Sequence, residues 1–450
     1  MQSESNDGML HAFEDETGAE LWAFIPPDLL PKLQNLTGNT LEFFVDGTPK
    51  VYEGSSQKIL IFGERRGGNR YYALDITNPD SPQLLWQINP ATMTDYSEMG
   101  QTWSSPALGK IKYGSGDKWV LFISGGYDTN QDDLPVTSND SKGRAVYVVD
   151  VLNGSLIKKW QYSSADNPEM KYSIPSDITK VDTDLDGMID RLYVGDMGGQ
   201  IWRFDIVDTS PTNWTAKRIF NANDPAPSPG VDRRKIFYPP DVGLEKDSGG
   251  NYELVIFGTG DREHPKDTTI YNRLYAVKDR NSSSVLKESD LVDVTLDLLQ
   301  TGTSEQKENI YNELKNKSGW YIILGTNSGE KCLAPPLLFY GISYYTTFTP
   351  QSGSVIDPCF VGEGYARLYA LNYLTGGAYF NFDLTNDVGG TKLGASDRSI
   401  IIGTAIPSGA IIAVVGGSSA TGYIGIGGGI YKAPLKSTKV LVPISWKQRF

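Results

Sequence analysis

The 450-residue chain holds only two cysteines, Cys332 and Cys359, and two histidines, His11 and His264. Two thiols cannot build a metal cluster by themselves, and their separation excludes a C-x-x-C redox pair. They read as two free thiols or as one disulfide. The otherwise extracellular look of the chain points to the bond, which would close a loop worth about 3–4 kcal/mol in the chain-entropy picture. Basic residues are also in deficit, 41 Lys and Arg against 54 Asp and Glu, for a net charge of −13. Such a surface repels phosphate backbones and argues against a nucleic-acid partner. No long unbroken apolar run is present. The most apolar stretch, "SIIIGTAIPSGAIIAVVGGSSATGYIGIGGGIY", is interrupted by Pro407 and by repeated Gly and Ser, so two or three strands are expected there and no transmembrane segment. The start, "MQSESNDGML", has neither the basic flank nor the apolar core of a signal peptide. An exported protein would therefore have this chain as the C-terminal portion of a longer precursor.

Glycine and tyrosine are abundant, at 48 and 25 residues. They fall into a repeat: a glycine or polar turn, an alternating aromatic strand ending near Asp or Asn, then a second turn. Copies begin at Asp7 ("DGMLHAFEDETGAELWAF"), Asn69, Gly143, Gly198, Asn272, Ala366 and, degenerately, Thr421. Most follow another strand, such as "KILIFGERRGG" or "WVLFISGGYD". Alternation of period two bounded by Gly and Asp is the signature of strands and hairpins. Self-similar units of this length predict an all-β propeller of about seven blades, residues 1–450 forming a single domain with helical or loop insertions. Those insertions are "PPDLLPKLQNLTG" from Pro26 and a helical excursion from Ser289 covering a blade edge. No expected strand precedes Asn6. Either the C-terminal "KVLVPISWKQRF" closes that blade or the chain begins one strand late. Trp22, Trp86, Trp160 and Trp202 recur at similar places in their repeats and read as core, whereas Trp103 lies in a turn between blades.

The most pointed motif is "DTDLDGMID". Asp182, Asp184 and Asp186 occupy positions one, three and five, Gly187 position six, and Asp190 position nine. This is the first half of a calcium loop of the EF-hand kind, in which alternate carboxylates wrap a hard cation and glycine permits the sharp turn. The backbone carbonyl of Met188 is then expected to face inward. Position twelve is Tyr193, so the bidentate glutamate is missing, and both flanks read as strands rather than helices. The expected ligands are Asp182, Asp184, Asp186, the Met188 carbonyl and Asp190, with Ca2+ preferred over Mg2+ by ligand number and loop flexibility. "YDTNQDDLP" (Asp128, Asn130, Asp132) lacks the glycine and reads as a solvated loop.

"NDGMLHAFEDETGAELWAFIPPDLLPKL", "GQTWSSPALGKI", "YVGDMGGQIWRFDI" and "GEKCLAPPLLFYGISYYTTFTP", with "PCFVGEGYARLYALNYLTG", resemble the C-terminal propeller of the PilY/PilC family of type IV pilus tip-associated proteins. The resemblance runs from about Asn6 to at least Gly377. It implies a modified seven-bladed, quinoprotein-like propeller, a functional calcium loop at Asp182–Asp190, and export to the outer membrane or cell surface at the pilus tip. It also implies partners among the minor pilins and a host-cell or surface receptor. The implied roles are pilus extension and retraction, twitching motility and adhesion. The R-G-D tripeptide of some members is absent; the chain has only "GDRE" from Gly260 to Glu263.

Two other readings compete. A quinone-dependent dehydrogenase would share the propeller and the calcium, but such enzymes characteristically carry adjacent cysteines, which this chain lacks. His11 sits in a strand and reads as a satisfied core residue, and His264, in the loop "GDREHPKD", has no serine or cysteine partner evident in sequence, so no catalysis is expected. A calcium-independent scaffold or lectin acting through its faces is the other alternative.

Overall fold

The structure, a computed structural model, describes residues 2–4, 7–38, 42–136, 138–224, 233–351, 364–387, 390, 392–415 and 419–436. The described residues fall into two compact units: those of Met1–Met197 with Arg203–Lys217, and Gly198–Trp202 with those of Arg218–Gln448. The regular structure is overwhelmingly strand, and among the described residues it forms seven sheets that follow one another along the chain. In the first unit, sheet one is Gln2–Glu4, Leu10–Phe13 and Glu20–Phe24. Sheet two is Lys50–Glu53, Lys58–Gly63, Tyr71–Asp75 and Gln83–Ile88. Sheet three is Ala107–Tyr113, Gly116–Ser124, Ala145–Asp150 and Leu156–Gln161.

Sheet four comes next along the chain. It runs Thr179–Val181, Arg191–Gly195, Gln200–Asp205 and Thr215–Asn221, ending on the short parallel strand Leu286–Lys287. In the second unit, sheet five is Asp241–Asp247, Gly250–Gly258, Arg273–Asp279 and Gly319–Ile323, with Val292–Asp293 added in parallel. Sheet six has Ile342–Thr349, Tyr365–Asn372 and Ser399–Gly403 in order, with Lys331–Cys332 and Leu337–Phe339 both on its first strand. Sheet seven is Ile411–Val415, Ser419–Ile426 and Gly429–Ala433.

Each repeat read from the sequence supplies one sheet, so the all-β expectation holds. Three details differ from it. Gln2–Glu4 pairs with Leu10–Ala12, so the first sheet does have a preceding strand. The apolar region from Ser399 yields four strands rather than two or three, because each Gly or Pro break ends one strand. The two short parallel strands gave no periodic signal, being two residues each. The C-terminal "KVLVPISWKQRF" lies outside the described residues, as does Cys359 and hence its pairing with Cys332. The excursion from Ser289 contains helix Ser304–Asn316, capped by Thr303 and Gln306, with Leu314 buried and Ile310 packed on the core of sheet five. The insertion from Pro26 forms a 3-10 helix at Leu30–Thr37.

The strands read as near-continuous apolar runs because both faces are covered. Successive side chains point to opposite sides of a strand. In sheet two, Leu60, Phe62, Tyr72 and Leu74 cluster with Leu10 of sheet one and with Phe44 and Val45. Their neighbours Ile59, Ile61, Tyr71 and Ala73 cluster instead with Leu121, Ile123, Tyr147 and Val149 of sheet three. In the second unit, Ile256 and Ala276 of sheet five meet Tyr345 and Leu371 of sheet six, whose Tyr344 and Leu368 meet Ile424 of sheet seven. Each fully buried side chain of this size stabilises by roughly 1.5–3 kcal/mol.

Tryptophans seat successive sheets on one another. Trp22, Trp86 and Trp160, on the last strands of their sheets, stand opposite Ala12, Ala73 and Val146, and Trp320, on the fourth strand of sheet five, stands opposite Ala276. The indole N–H of Trp22 donates to Pro79 O at 2.7 Å, that of Trp86 to Val151 O at 3.0 Å, and that of Trp320 to Tyr373 O at 2.9 Å. Pro79 and Val151 lie in the turn joining the third and fourth strands of the next sheet, and Tyr373 directly follows strand Tyr365–Asn372 of sheet six. A Cβ on the turn glycine Gly154 would come within 2.8 Å of the Trp86 ring, so the indole fits only against glycine. Trp160 differs: it packs on Phe204 at 4.8 Å and Trp214 at 6.4 Å, and its N–H has no partner. Trp202, expected in this set, lies on Gln200–Asp205, the third strand of its sheet, and Trp320 takes the fourth place. Aromatic spacing alone does not separate a third strand from a last one. Trp22 is half-buried rather than core.

Glu64 is fully buried at the end of Lys58–Gly63. Burial, then the nearby Asp28 carboxylate, push its carboxyl up to about 8, against the hydrogen bond from the Arg70 N–H at 3.0 Å. Asp28 is in turn paired with the Arg70 guanidinium at 3.3 Å and accepts from the Tyr72 hydroxyl.

Two outcomes follow. Trp86→Phe, which strands the Val151 carbonyl, is expected to destabilise by about 1–3 kcal/mol in urea unfolding, and Trp160→Phe by less, since no hydrogen bond is lost. Equal costs would refute the seating role of the N–H. For Glu64, a carboxyl raised in the folded state stabilises fully below its free value near 4.5, and that contribution is lost as pH rises through about 8. Thermal melts of Glu64→Gln should accordingly lose less stability than wild type between pH 5 and about 9. Parallel pH profiles would disprove this.

Candidate metal centre

Residues 182–190 connect Thr179–Val181 to Arg191–Gly195, which pair antiparallel with Thr179 opposite Tyr193 and Val181 opposite Arg191. The aspartate stretch is thus a hairpin connection between strands, and Tyr193 at its position twelve is buried in the sheet. Leu185 and Gly187 adopt φ of 63° and 88°. A Cβ at Gly187 would meet nothing within 4 Å, so it is the backbone conformation that favours glycine there.

The loop closes on its own carboxylates. Asp182 accepts from the Gly187 N–H at 2.8 Å and the Asp186 N–H at 3.2 Å, and Asp186 accepts from the Met188 N–H at 2.9 Å. Asp190, only 7% exposed, accepts from Thr183 N–H at 2.8 Å and Thr183 Oγ1 at 2.7 Å. At the base, Asp205 takes hydrogen bonds from Arg191 at 2.7 Å and from the buried Arg203 at 2.9 Å. The loop also rests on the first strand of sheet three, where the Ile189 N–H donates to Lys110 O at 2.8 Å and Lys180 Nζ donates to Leu108 O.

Asp182, Asp184 and Asp190 bring carboxylate oxygens to within 4.8 Å of one another. Asp186 is not in that group. Its carboxylate meets Lys112 Nζ at 2.6 Å, and the same ammonium lies 3.7 Å from Asp184. The Lys112 hydrogen bond holds the Asp186 carboxyl below the usual range and raises the Lys112 ammonium in turn. Of the five expected ligands, three converge, Asp186 stands with Lys112, and Met188 enters through its N–H to Asp186. Sequence reasoning missed Lys112. Its one signal was the alternation in "ALGKIKY", which puts Lys110 and Lys112 on one side of that strand. Three hard oxygens at this spacing, beside the exposed turn of the loop, suit a hard divalent cation with further positions open to water.

The other sequence candidates serve structure. Asp128 is 6% exposed rather than solvated, because it ties the Ser141 N–H at 2.6 Å and the Lys142 N–H at 2.8 Å. Asp132 holds Arg66 at 3.0 Å and the Tyr127 hydroxyl at 2.8 Å. Trp103 packs on Tyr127 at 5.4 Å beneath the Arg65 guanidinium at 4.6 Å. His11 is half-buried, with Glu20 at 2.7 Å and Asp7 at 2.9 Å on its two nitrogens; the Glu20 hydrogen bond raises it above its ordinary value. His264 meets Asp261 at 2.8 Å, which also pairs with Lys235 at 2.6 Å. Cys332 is buried, and burial pushes its thiol up to about 12.

The family model of the PilY1 beta-propeller domain matches residues 1–314. The type IV pilus biogenesis factor PilY1 of Pseudomonas aeruginosa (strain UCBPP-PA14) is 29% identical over 444 residues, covering 84% of this chain and 36% of the relative. A PilY1 homolog of Xylella fastidiosa (strain Temecula1) is 29% identical over 402 residues, covering 83% of this chain and 26% of the relative. The chain therefore spans about a third or less of the length of these relatives. In structure it matches the crystal structure of the Pseudomonas aeruginosa PilY1 C-terminal domain with a TM-score of 0.66 at 21% identity, covering 95% of this chain and 91% of that one. That likeness shows the fold.

Asp190 has a role that needs no ion. Asp190→Ala would leave the Thr183 N–H without its acceptor and should cost about 1–3 kcal/mol by urea unfolding in chelator. Asp190→Asn, which keeps an acceptor oxygen, should cost less. An alanine variant as stable as wild type would show that this carboxylate does not hold the loop.

Proposed function

The chain belongs to the PilY1 β-propeller domain family, and from that premise we propose that it is the calcium-binding propeller portion of a type IV pilus biogenesis factor and adhesin. In this reading residues 1–450 act as a single, non-catalytic domain of an exported protein at the cell surface, at the pilus tip. Its partners are minor pilins and a surface or host-cell receptor, and its roles are pilus extension and retraction, twitching motility and attachment. The names of the curated relatives support the pilus assignment. The non-catalytic reading is supported by two histidines each engaged by carboxylates and by a buried, high-pKa Cys332.

The observation that carries the calcium reading is the convergence of Asp182, Asp184 and Asp190 within 4.8 Å in one hairpin loop. These three would hold the ion, with Asp186 and the Met188 carbonyl the further donors expected from their spacing. Calcium would supply a charge that offsets the mutual repulsion of the carboxylates. Thr183 and the Gly187 N–H orient Asp190 and Asp182 beforehand. A partner that recognises the ordered loop would then bind better with calcium, as linkage requires.

Calorimetric titration of calcium into metal-stripped protein should give one site. Asp184→Asn, which removes an exposed carboxylate and spares the Thr183 hydrogen bonds, should weaken it by roughly tenfold or more, about 1.4 kcal/mol. A strain carrying that variant should lose calcium-dependent twitching. Absence of binding in the wild-type protein would overturn the calcium reading.

A further inference from the structure

We infer that Lys112 is a tethered competitor for the calcium loop, holding Asp186 out of the ligand set and so setting the calcium concentration to which the loop responds. This rests on the calcium reading above and adds a residue from a different sheet to it.

Lys112 is on Ala107–Tyr113, the strand against which the aspartate hairpin docks. The hairpin is pinned to that strand on both sides of the loop, by Lys180 on Leu108 O and by the Ile189 N–H on Lys110 O at 2.8 Å. Lys112 is therefore kept beside the loop. Its ammonium takes Asp186 at 2.6 Å while Asp182, Asp184 and Asp190 form the convergent group without that residue. Position five of the motif is thus occupied by the chain's own cation.

A divalent ion entering the loop meets Lys112 in one of two ways. Asp186 can leave the ammonium and join the ligands, which costs that ion pair. Otherwise the ammonium stays and repels the ion across Asp184, from which it stands 3.7 Å. Both weaken binding. Lysine suits a competitor because its charge sits on a flexible stem, able to swing into solvent, unlike the rigid fork of arginine. The pair is partly exposed, 44% for Lys112 and 35% for Asp186, so its effect is moderate and falls with salt.

The test is a calcium titration of metal-stripped wild type, Lys112→Met, Asp186→Asn and the double variant, at low and high salt. Lys112→Met should bind calcium roughly three- to tenfold tighter at low salt, with the gain shrinking at high salt. In the Asp186→Asn background the same change should give a clearly smaller gain, since no carboxylate remains to be released. Without calcium, Lys112→Met should melt as one transition slightly below wild type, which shows that the fold is kept and the aspartates have lost their partner. Unchanged or weaker binding by Lys112→Met would overturn the inference, and so would an equal gain in the Asp186→Asn background. Should wild type bind no calcium at all, it is the calcium reading itself that fails.

Discussion

The tryptophan seat is the constraint that fixes how sheet two meets sheet one, sheet three meets sheet two and sheet six meets sheet five. A sheet with two apolar faces must be covered twice, and a four-stranded meander cannot do this alone. Stacking sheet upon sheet meets the demand, yet apolar faces by themselves tolerate sliding. An indole on the outermost strand, opposite a small residue, reaches the turn of the next sheet and caps a particular carbonyl, as Trp86 does with Val151. That hydrogen bond is directional where the surrounding burial is not, and so it fixes position.

Sheet three meets its successor differently. Trp160 packs on Phe204 and Trp214 without a partner for its N–H, while Trp214 donates its own N–H to Asp208 O at 2.6 Å. The aspartate hairpin rests on the opposite edge of the same sheet, through Lys110, Leu108 and Lys112. Two of those contacts end on backbone carbonyls; the third is a partly exposed ion pair. The loop is therefore anchored firmly at its base and held only by charge at its tip, where Leu185 and Asp184 are exposed.

Most of the fold was legible in the sequence. The seven repeats gave the seven sheets seen among the described residues, because half-buried strands alternate with period two, strands buried on both faces read as short apolar runs, and glycine marks the turns. What escaped had no local pattern: the two-residue parallel strands, and the assignment of Trp320 rather than Trp202 to the seating set. The aspartate loop was legible to a similar degree. The D-x-D-x-D-G spacing identified the loop, and the failed helical flanks correctly made it a hairpin.

The sequence by itself determined the all-β repeat, the loop, and the carboxylates within it, since all of these are set by spacing along a few neighbouring residues. The tertiary structure alone decided which carboxylates converge. Asp186 is the same residue type at the same kind of spacing as Asp184, but a lysine from the preceding sheet reaches it. An ammonium brought in by sheet stacking is invisible to any local motif, because Coulomb attraction acts on distance in space, whatever the separation along the chain.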